Sequence, residues 1–517
     1  MNIRSIVAIF LLCGLTGAIS ISAAQQLPKV SVDWAKTGAT SKLTPSLYVV
    51  TNPMMRPGSP IHDSVNSALK DLGADYLRYM VLGGHKKLDV AELYPPTEGK
   101  TSWDFSLMDP LLLDFFEITK GRPAILEFNA IPDWMFKSDR PVSYPEDPNH
   151  SSEGEKSPRK VTDMVDPTGR QLADYYARIA SWYTKGGFKD ESGKWHASNH
   201  HFEIPYWEVL NEPDAEFSDM TPQAYTLLYD NVVTAVRKVS PKTKFVGLSL
   251  GRSQPEFFEY FLSPKNHRAG VPLDMISYHF YYVPGPTDGV EQWQYSVFSK
   301  IDEFRDNARF VEQIRQRLSP STRTAIDETA IPLLLSDLSD FDPEARKFDI
   351  PDTYWNLSAA AFAYSYMRLC DLGVDTLNMS QGIGYPGFYP GLAMFNWVSG
   401  KPNARYWVLK LLIDSFKPGD STVATSIIKG ELDPRNAIEY FNPSIAVQGY
   451  RSMAGKRKLL LINKRDRNVQ IELPPEALGA SVSTVDKGTA ENFPRVSVLD
   501  EPVLEMAPFA VSVVNLH

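Results

Sequence analysis

The segment "IPYWEVLNEPD", residues 204–214, is an apolar run that ends abruptly in Asn211, Glu212, Pro213 and Asp214. On its own it predicts a short buried strand that delivers a carboxylate at its C-terminal end, with a proline placed so that the ladder cannot continue. Strands that carry polar residues at their C-terminal ends are the mark of a (β/α)8 barrel, whose functional face is built there.

The flanking sequence supplies the other strands. Short apolar runs recur at 47–52, 74–80, 124–129, 206–211, 244–251, 275–282, 323–328 and 375–381. Helical patterns fill the gaps between them, most clearly in "TPQAYTLLYDNVVTAVRKVSP". There Thr221 is the N-cap, Pro222 the first helical residue, and Tyr225, Leu228, Val232, Val236 and Val239 form the apolar stripe before Pro241 stops the helix. Eight strand–helix pairs predict an α/β fold, a (β/α)8 TIM barrel with enlarged loops. An open doubly wound sheet would want a glycine-rich phosphate turn after its first strand, and "TNPMMRPGSP" is not one.

After Pro418 the texture changes to alternating runs such as "KRKLLLINK", "NVQIEL" and "FAVSVVNL" between turn residues. This predicts an all-β, sandwich-like domain. The expected division is a signal peptide at 1–24, the barrel at 25–417 and the β domain at 418–517, with 25–40 a candidate extra strand of the latter.

The 517 residues are 43% hydrophobic and 22% charged, with a formal net charge of -9 and a pI near 5.6. Such a balance argues against nucleic acid or an anionic membrane as the main partner, since both call for a basic surface. Residues 1–24 carry Arg4, an apolar run from Ile6 to Leu15 and small residues ending at Ala24, the pattern of a cleavable secretory signal. The expectation is a secreted or periplasmic protein with no membrane anchor after cleavage. Cys13 falls inside that segment behind Leu12, where a lipid anchor would want a small residue, so Cys370 alone remains and no internal disulfide is expected.

The strand ends are unusually polar. They carry Arg78 on the second strand, Glu127 and Asn129 on the third, Asn211 and Glu212 on the fourth, and His279 and Tyr281 on the sixth. Asp327 and Glu328 end the seventh, and Asn378 and Gln381 the eighth. Burying so many polar groups is costly unless they pair with one another or with a ligand. Glu212 and Glu328 end strands that face each other across the barrel mouth, an arrangement that suits glycoside hydrolysis, with one carboxylate as acid and the other as nucleophile.

Here a family resemblance becomes specific. "EVLNEPD" resembles the strand-4 Asn-Glu-Pro motif of the clan A retaining glycosidases, "AIDETA" their strand-7 nucleophile segment, and "YHFYY" their strand-6 His-x-Tyr. "DYLRYM", "TSWDFSLMDPLLLDF", "IPDWMF" and "YWEVLNEPD", in that order and spacing, resemble glycoside hydrolase family 39, which includes β-xylosidases and α-iduronidases. The resemblance implies Glu212 as acid/base and Glu328 as nucleophile, with Asn211 bonding the sugar 2-hydroxyl. It also implies that Tyr281 donates to Glu328, that His279 orients groups near the acid/base, and that Arg78 keeps Glu328 ionised. A cationic partner lowers a carboxylate pKa, so Glu212, with fewer charge partners, is expected to keep its proton to higher pH than Glu328.

Other residues are weighed more lightly. Glu208 and Asp327 neighbour the pair, but successive strand residues face opposite sides, so both are expected to be structural. The run "WHASNHH", His196 to His201, has no matching third-ligand pattern and is expected to be hydrogen-bonded, with no metal held. His85 sits behind two glycines that let the backbone approach a ligand. Trp134, Tyr282, Tyr385, Phe388, Tyr389 and Trp397 are candidate sugar-stacking aromatics. Residues 137–160 form a long polar loop. Lys86, Lys87 and Arg252 lie near strand ends without forming a convincing pair for a uronate, which leaves a neutral β-xyloside-like substrate.

The expected function is a secreted retaining glycosidase acting on a glycoside, oligosaccharide or polysaccharide, with no metal and no cofactor. Two alternatives use the same residues: a carbohydrate-binding protein on a decayed barrel, and a transglycosylase.

Overall fold

The computed structural model describes residues 27–81, 86–138, 141–144, 147, 160–285, 288–332, 350–383, 390–396, 398–428 and 443–517. The predicted signal segment 1–24, His85, most of the loop at 137–160 and the aromatics Tyr385, Phe388, Tyr389 and Trp397 fall outside them.

In chain order the first strands are β1 (Lys29–Thr40), β2 (Thr44–Val50), β3 (Leu77–Val81), β4 (Ala124–Phe128), β5 (Gly187–Lys189), β6 (Trp195–Ala197) and β7 (Tyr206–Val209). Next come β8 (Lys244–Leu250), β9 (Met275–Tyr281), β10 (Arg323–Ala330), β11 (Thr376–Ser380) and β12 (Ser421–Ile428). The chain ends with β13 (Ile445–Arg451), β14 (Arg457–Asn463), β15 (Val469–Glu472), β16 (Ser481–Val485), β17 (Arg495–Val498), β18 (Val503–Met506) and β19 (Val511–Leu516). The helices are α1 (His62–Leu72), α2 (Lys86–Asp89), α3 (Met108–Ile118), α4 (Arg170–Lys185), α5 (Pro222–Val239), α6 (Pro255–Phe261), α7 (Val290–Trp293), α8 (Val297–Leu318), α9 (Asp352–Leu369) and α10 (Ala404–Ser415).

Strands β2, β3, β4, β7, β8, β9, β10 and β11 close into a barrel in that cyclic order, every adjacent pair parallel. A helix follows each of the eight, as the sequence predicts. The start of α5 follows the local rules read above: Thr221 accepts the Ala224 N–H and Pro222 opens the helix. Strand β3 begins three residues later than expected because Tyr76 takes a left-handed backbone with φ 60°, which interrupts the extended run.

Alternation along the strands assigns the faces. In β4, Leu126 and Phe128 turn outward into the main core under the helices, while Ile125 and Glu127 turn inward. In β7, Trp207 and Val209 face out and Tyr206 and Glu208 face in. Ile125, Tyr206, Val246, Met275 and Ala325 make one apolar layer inside the barrel. Beneath it the Arg323 guanidinium joins Tyr76, Tyr206 and Asp375. The remaining interior, toward the C-terminal mouth, is polar.

The other sheet has nine strands in the order β17-β16-β19-β14-β13-β12-β1-β15-β18. Strand β1 lies antiparallel to β12, so the chain segment before the barrel is hydrogen-bonded to the sheet that follows it. Residues of β14 alternate between two cores: Leu460 and Ile462 join the barrel's core, Leu459 and Leu461 the second one. Ile471 and Leu504, from one end of the strand order, share that second core with Val482 from the other end. The sheet therefore curls into two layers, the sandwich-like shape expected from the alternating pattern.

Candidate active site

The polar layer is organised by one guanidinium. Arg78 is fully buried and reaches Glu208 Oε2 at 2.5 Å, Glu328 Oε1 at 2.6 Å and Asp327 Oδ2 at 3.2 Å, with Glu127 Oε2 at 3.9 Å. It also donates to Asn211 Oδ1 at 2.8 Å and Ser249 Oγ at 3.0 Å. Burial alone would lower the Arg78 pKa, but Glu208, Asp327, Glu328 and Glu127 outweigh it and hold the guanidinium charged. Burial, helped by the charges of Glu208, Glu328 and Asp327 and opposed by Arg78, leaves Glu127 well above the usual carboxylate range. Burial and the neighbouring Glu208 do the same to Asp327. Both Glu127 oxygens and Asp327 Oδ1 are buried without a hydrogen-bond partner among the described residues.

Glu212 is aimed by the backbone. Strand β7 stops at Val209 because Leu210 and Glu212 adopt left-handed conformations with φ 61° and 46°, four residues before Pro213 is reached. Neither residue type favours that region, and each such residue costs about 1–3 kcal/mol. The adjacent strand β8 carries matching irregularities at Leu248 and Ser249, φ 86° and 45°, where its pairing with β9 shifts register. The two distortions meet at the Glu212 N–H, which donates to the Ser249 carbonyl at 2.9 Å. Asp214 then ties the two loops together by accepting the N–H groups of Gly251 and Arg252. The Glu212 carboxylate rests on Gly251, where an added Cβ would lie 2.9 Å from Oε1.

Glu328 is aimed by a bulge. Along β9 and β10, Tyr278 pairs with Ile326 and His279 with Glu328, so Asp327 is the extra residue. The bulge corrects the expectation that Asp327 would be turned away from the environment of Glu328: both carboxylates reach Arg78 and both face His279 Nε2, at 3.7 and 3.6 Å. Glu208 likewise shares Arg78 with Glu328, because the long guanidinium arm spans the barrel interior.

His279 stands between the two glutamates. Its Nδ1 is 3.0 Å from Glu212 Oε1, and its Nε2 is 3.1 Å from Ser249 Oγ. Burial opposes charging this ring, yet Glu328, Asp327 and Glu212 together raise its pKa to about 9. The proton on His279 changes the expectation for Glu212. Burial would raise that carboxylate, but the hydrogen bond and charge of His279, helped by Arg78 and Arg252, bring it below its ordinary value. Glu212 is a quarter exposed at its side chain, and its shift is downward, where the reading from charge partners alone looked for an upward one. The imidazolium beside it is the feature which that reading lacked.

Tyr281 donates to Glu328 Oε2 at 2.7 Å. Asn211 spends its carbonyl on Arg78 and Ser249, which leaves its amide N–H groups for the cleft. Trp134 is half-buried and donates its indole N–H to the Glu92 carbonyl. Tyr282 departs from expectation. It is 7% exposed, belongs to the main core and bonds Ser296 Oγ at 2.6 Å, because it continues the alternation of β9 to the side opposite Tyr281. The "WHASNHH" histidines are separated: His196 pairs with Asp190 and His200 with Asp109. Ser249, Gly251 and Glu127 are site residues that sequence reasoning passed over or left without a role. Ser249 and Gly251 lie at the C-terminal end of the fifth barrel strand, "SLG", whose small residues carry no charge to draw notice.

One atom each of Glu212, His279 and Glu328 lies within 4.8 Å of the others, the one such group among the described residues with metal-ligand composition. Its donor chemistry does not suit a cation. Both ring nitrogens of His279 already face oxygen partners, the ring keeps its proton, and Glu328 is paired with Arg78.

Because the native pKa of His279 lies above its unfolded value, its pairing stabilises the protein fully below pH 6.5 and progressively less up to about 9. The Tm advantage of the wild type over His279→Gln should shrink across that window in differential scanning. Parallel Tm curves would show that His279 is not charged in the native state.

The match to known proteins agrees with this geometry. Residues 18–330 fit the family model described as glycosyl hydrolases family 39. No curated protein matches the chain. Solved structures with the same fold include the α-L-arabinofuranosidase of Thermotoga maritima in its arabinose complex, at TM-score 0.59 and 16% identity over 95% of this chain and 99% of that one. The family 51 arabinofuranosidase of Xanthomonas axonopodis pv. citri gives TM-score 0.59 at 13% identity, over 95% and 100%. The family 39 β-xylosidase of Caulobacter crescentus gives 0.55 at 15%, over 94% and 99%. The family match takes in more than half of the sequence and ends where β10 ends, two residues past Glu328, so the chain belongs to glycosyl hydrolases family 39 and is a retaining glycoside hydrolase.

Proposed function

We propose that the enzyme cleaves its glycoside by double displacement, with Glu328 as nucleophile and Glu212 as acid/base, and that its substrate is a β-xyloside or a close neutral relative. The observation that carries this reading is the spacing of the carboxylates. Oxygens of Glu212 and Glu328 lie within 4.8 Å, which suits the about 5–5.5 Å of retaining enzymes and leaves no room for the water that an inverting enzyme places between its carboxyl groups.

The two glutamates are distinguished by their partners. Glu328 is held by Arg78 and Tyr281, both donors to an anion, and is therefore kept ready to attack the anomeric carbon. Glu212 faces His279, whose Nδ1 lies 3.0 Å from Glu212 Oε1. A bound sugar strips water from Glu212 and raises its proton affinity, so the proton passes from His279 through Glu212 to the departing oxygen. Attack turns Glu328 into a neutral ester, which removes the first charge that sustains the His279 imidazolium. In the second step Glu212 takes a proton from the attacking water, the sugar is released, and Glu328 regains its charge. Asn211, its amide oriented by Arg78 and Ser249, is placed to bond the 2-hydroxyl.

The pentoside preference is supported by the β-xylosidase and arabinofuranosidases that share the fold and by the engagement of Arg78 with carboxylates. Export, supported by the signal pattern of residues 1–24, belongs to the same reading.

Aryl glycosides (β-xyloside, β-glucoside, β-galactoside, α-arabinofuranoside and uronides) offered to the wild type and to Glu328→Gly test the proposal. Turnover of the β-xyloside is expected, with a loss of at least about a thousandfold in the variant and rescue by azide to a glycosyl azide of inverted configuration. Unimpaired turnover by Glu328→Gly would remove it from the nucleophile role. Gly251→Ala is expected to push the Glu212 carboxylate aside and to lower kcat by about 10- to 100-fold with little change in Tm. Wild-type kinetics in that variant would mean that the close contact does not position the acid/base.

A further inference from the structure

Arg405, on α10, is fully buried behind the end of β11. Its guanidinium donates to the carbonyls of Gly391, at 2.9 Å, and Ser380, while its Nε has no partner among the described residues. Among the described residues no carboxylate pairs with it, and burial brings its pKa down to about 10 against the support of the Tyr354 and Tyr281 hydroxyls. An arginine buried without an anion is a burden on stability that an aliphatic side chain of similar size would not impose. Its position suggests what it does. Ser380, whose carbonyl it holds, is the last residue of β11, and Ser380 Oγ lies 2.9 Å from the Tyr281 hydroxyl. The Tyr281 hydroxyl in turn lies 2.7 Å from Glu328 Oε2.

The proton count gives this chain a direction. A phenol has one proton. When Tyr281 directs it at Glu328, the phenolic oxygen is left to accept from Ser380 Oγ, and the orientation of that hydroxyl depends on where the Ser380 backbone is fixed. Glu328 thus has two supports: Arg78 on Oε1, from inside the barrel, and the Tyr281–Ser380 pair on Oε2, from the β11 side. The second has no other charged anchor among the described residues than Arg405. Arg405 also lies beyond residue 330, where the family match ends.

We propose that Arg405 is a positioning residue for the reaction, which fixes Ser380 so that Tyr281 stays aligned on Glu328 Oε2. This rests on the reading of Glu328 as nucleophile. A hydrogen bond to an ionised carboxylate favours ionisation, so releasing the chain weakens the hold on the charged form of Glu328 and blurs its line of attack. Tyr354 strengthens the same corner by donating to the Gly391 carbonyl that Arg405 also uses.

The test compares Arg405→Met, Arg405→Lys and Ser380→Ala in the full-length enzyme, with kcat, KM and the pH profile of kcat/KM on an aryl glycoside. Arg405→Met is expected to keep its Tm within a few degrees of wild type, to lower kcat by about tenfold or more with little change in KM, and to move the acid limb of kcat/KM to higher pH. Arg405→Lys should recover part of both effects, and Ser380→Ala should resemble Arg405→Met. Glu328 is also faced by Arg78, His279, Asp327, Glu212 and Tyr48, so the shift is read as a difference between variants that leave those groups in place. An unmoved acid limb with wild-type kcat in Arg405→Met overturns the proposal. If Arg405→Met does not fold, Arg405→Lys, Ser380→Ala and their double mutant decide it: non-additive losses support one chain, and additive losses overturn it. Azide rescue of Glu328→Gly separates the two readings, since its success with unmoved Arg405 variants would sink only the role of Arg405.

Discussion

The structure around the barrel mouth depends on one buried cation that must be satisfied. Placing a guanidinium in the interior costs several kcal/mol unless carboxylates and hydrogen bonds surround it, and Arg78 is met by Glu208, Glu328, Asp327, Asn211 and Ser249. Each of those partners is fixed in return. The same charge that keeps Glu328 available as the proposed nucleophile also turns the Asn211 amide toward the cleft and holds the Ser249 hydroxyl beneath His279. Charge balance acts on the two buried acids as well: the cluster has more carboxyl groups than positive charges, and burial together with the neighbouring carboxylates raises the pKa of Glu127 and Asp327.

Such a cluster could not be assembled by regular strands. Period-2 alternation would turn one of Asp327 and Glu328 away from the barrel interior, and would leave Glu212 in the ladder of β7. The bulge in β10 and the left-handed turns at Leu210, Glu212, Leu248 and Ser249 break that rule where the chemistry needs it. Each distortion is offset by a specific bond: the Glu212 N–H on the Ser249 carbonyl, and Asp214 across the loop that follows β8. Local strain here is used to aim side chains.

Much of this was legible in the residues. All eight barrel strands begin and end within a few residues of their apolar runs, because strands buried on both faces read as continuous hydrophobic segments. Glu212 and Glu328 stood out because each ends such a run with a carboxylate. What stayed hidden has physical causes. A bulge of one residue leaves no trace in composition, so Asp327 was assigned to the wrong side. Tyr282 looked like a platform because its distance along the strand was known but the face it takes was not. Ser249 and Gly251 act through a small hydroxyl and a missing Cβ, and Arg405 through contacts that only the closing of the barrel creates. The raised pKa of His279, which helps to lower that of Glu212, comes from Glu328 and Asp327 on β10 and from Glu212 just beyond β7.

The division of labour between the two glutamates is tested most directly by trapping the intermediate. The enzyme would be incubated with a dinitrophenyl 2-deoxy-2-fluoro-β-xyloside and digested, and the labelled residue identified by mass spectrometry. The expected result is stoichiometric inactivation, with one fluoroxylosyl group in ester linkage to Glu328. Label on Glu212 or any other residue, or steady hydrolysis of β-xylosides with no covalent adduct, would contradict the assignment of Glu328 as the nucleophile.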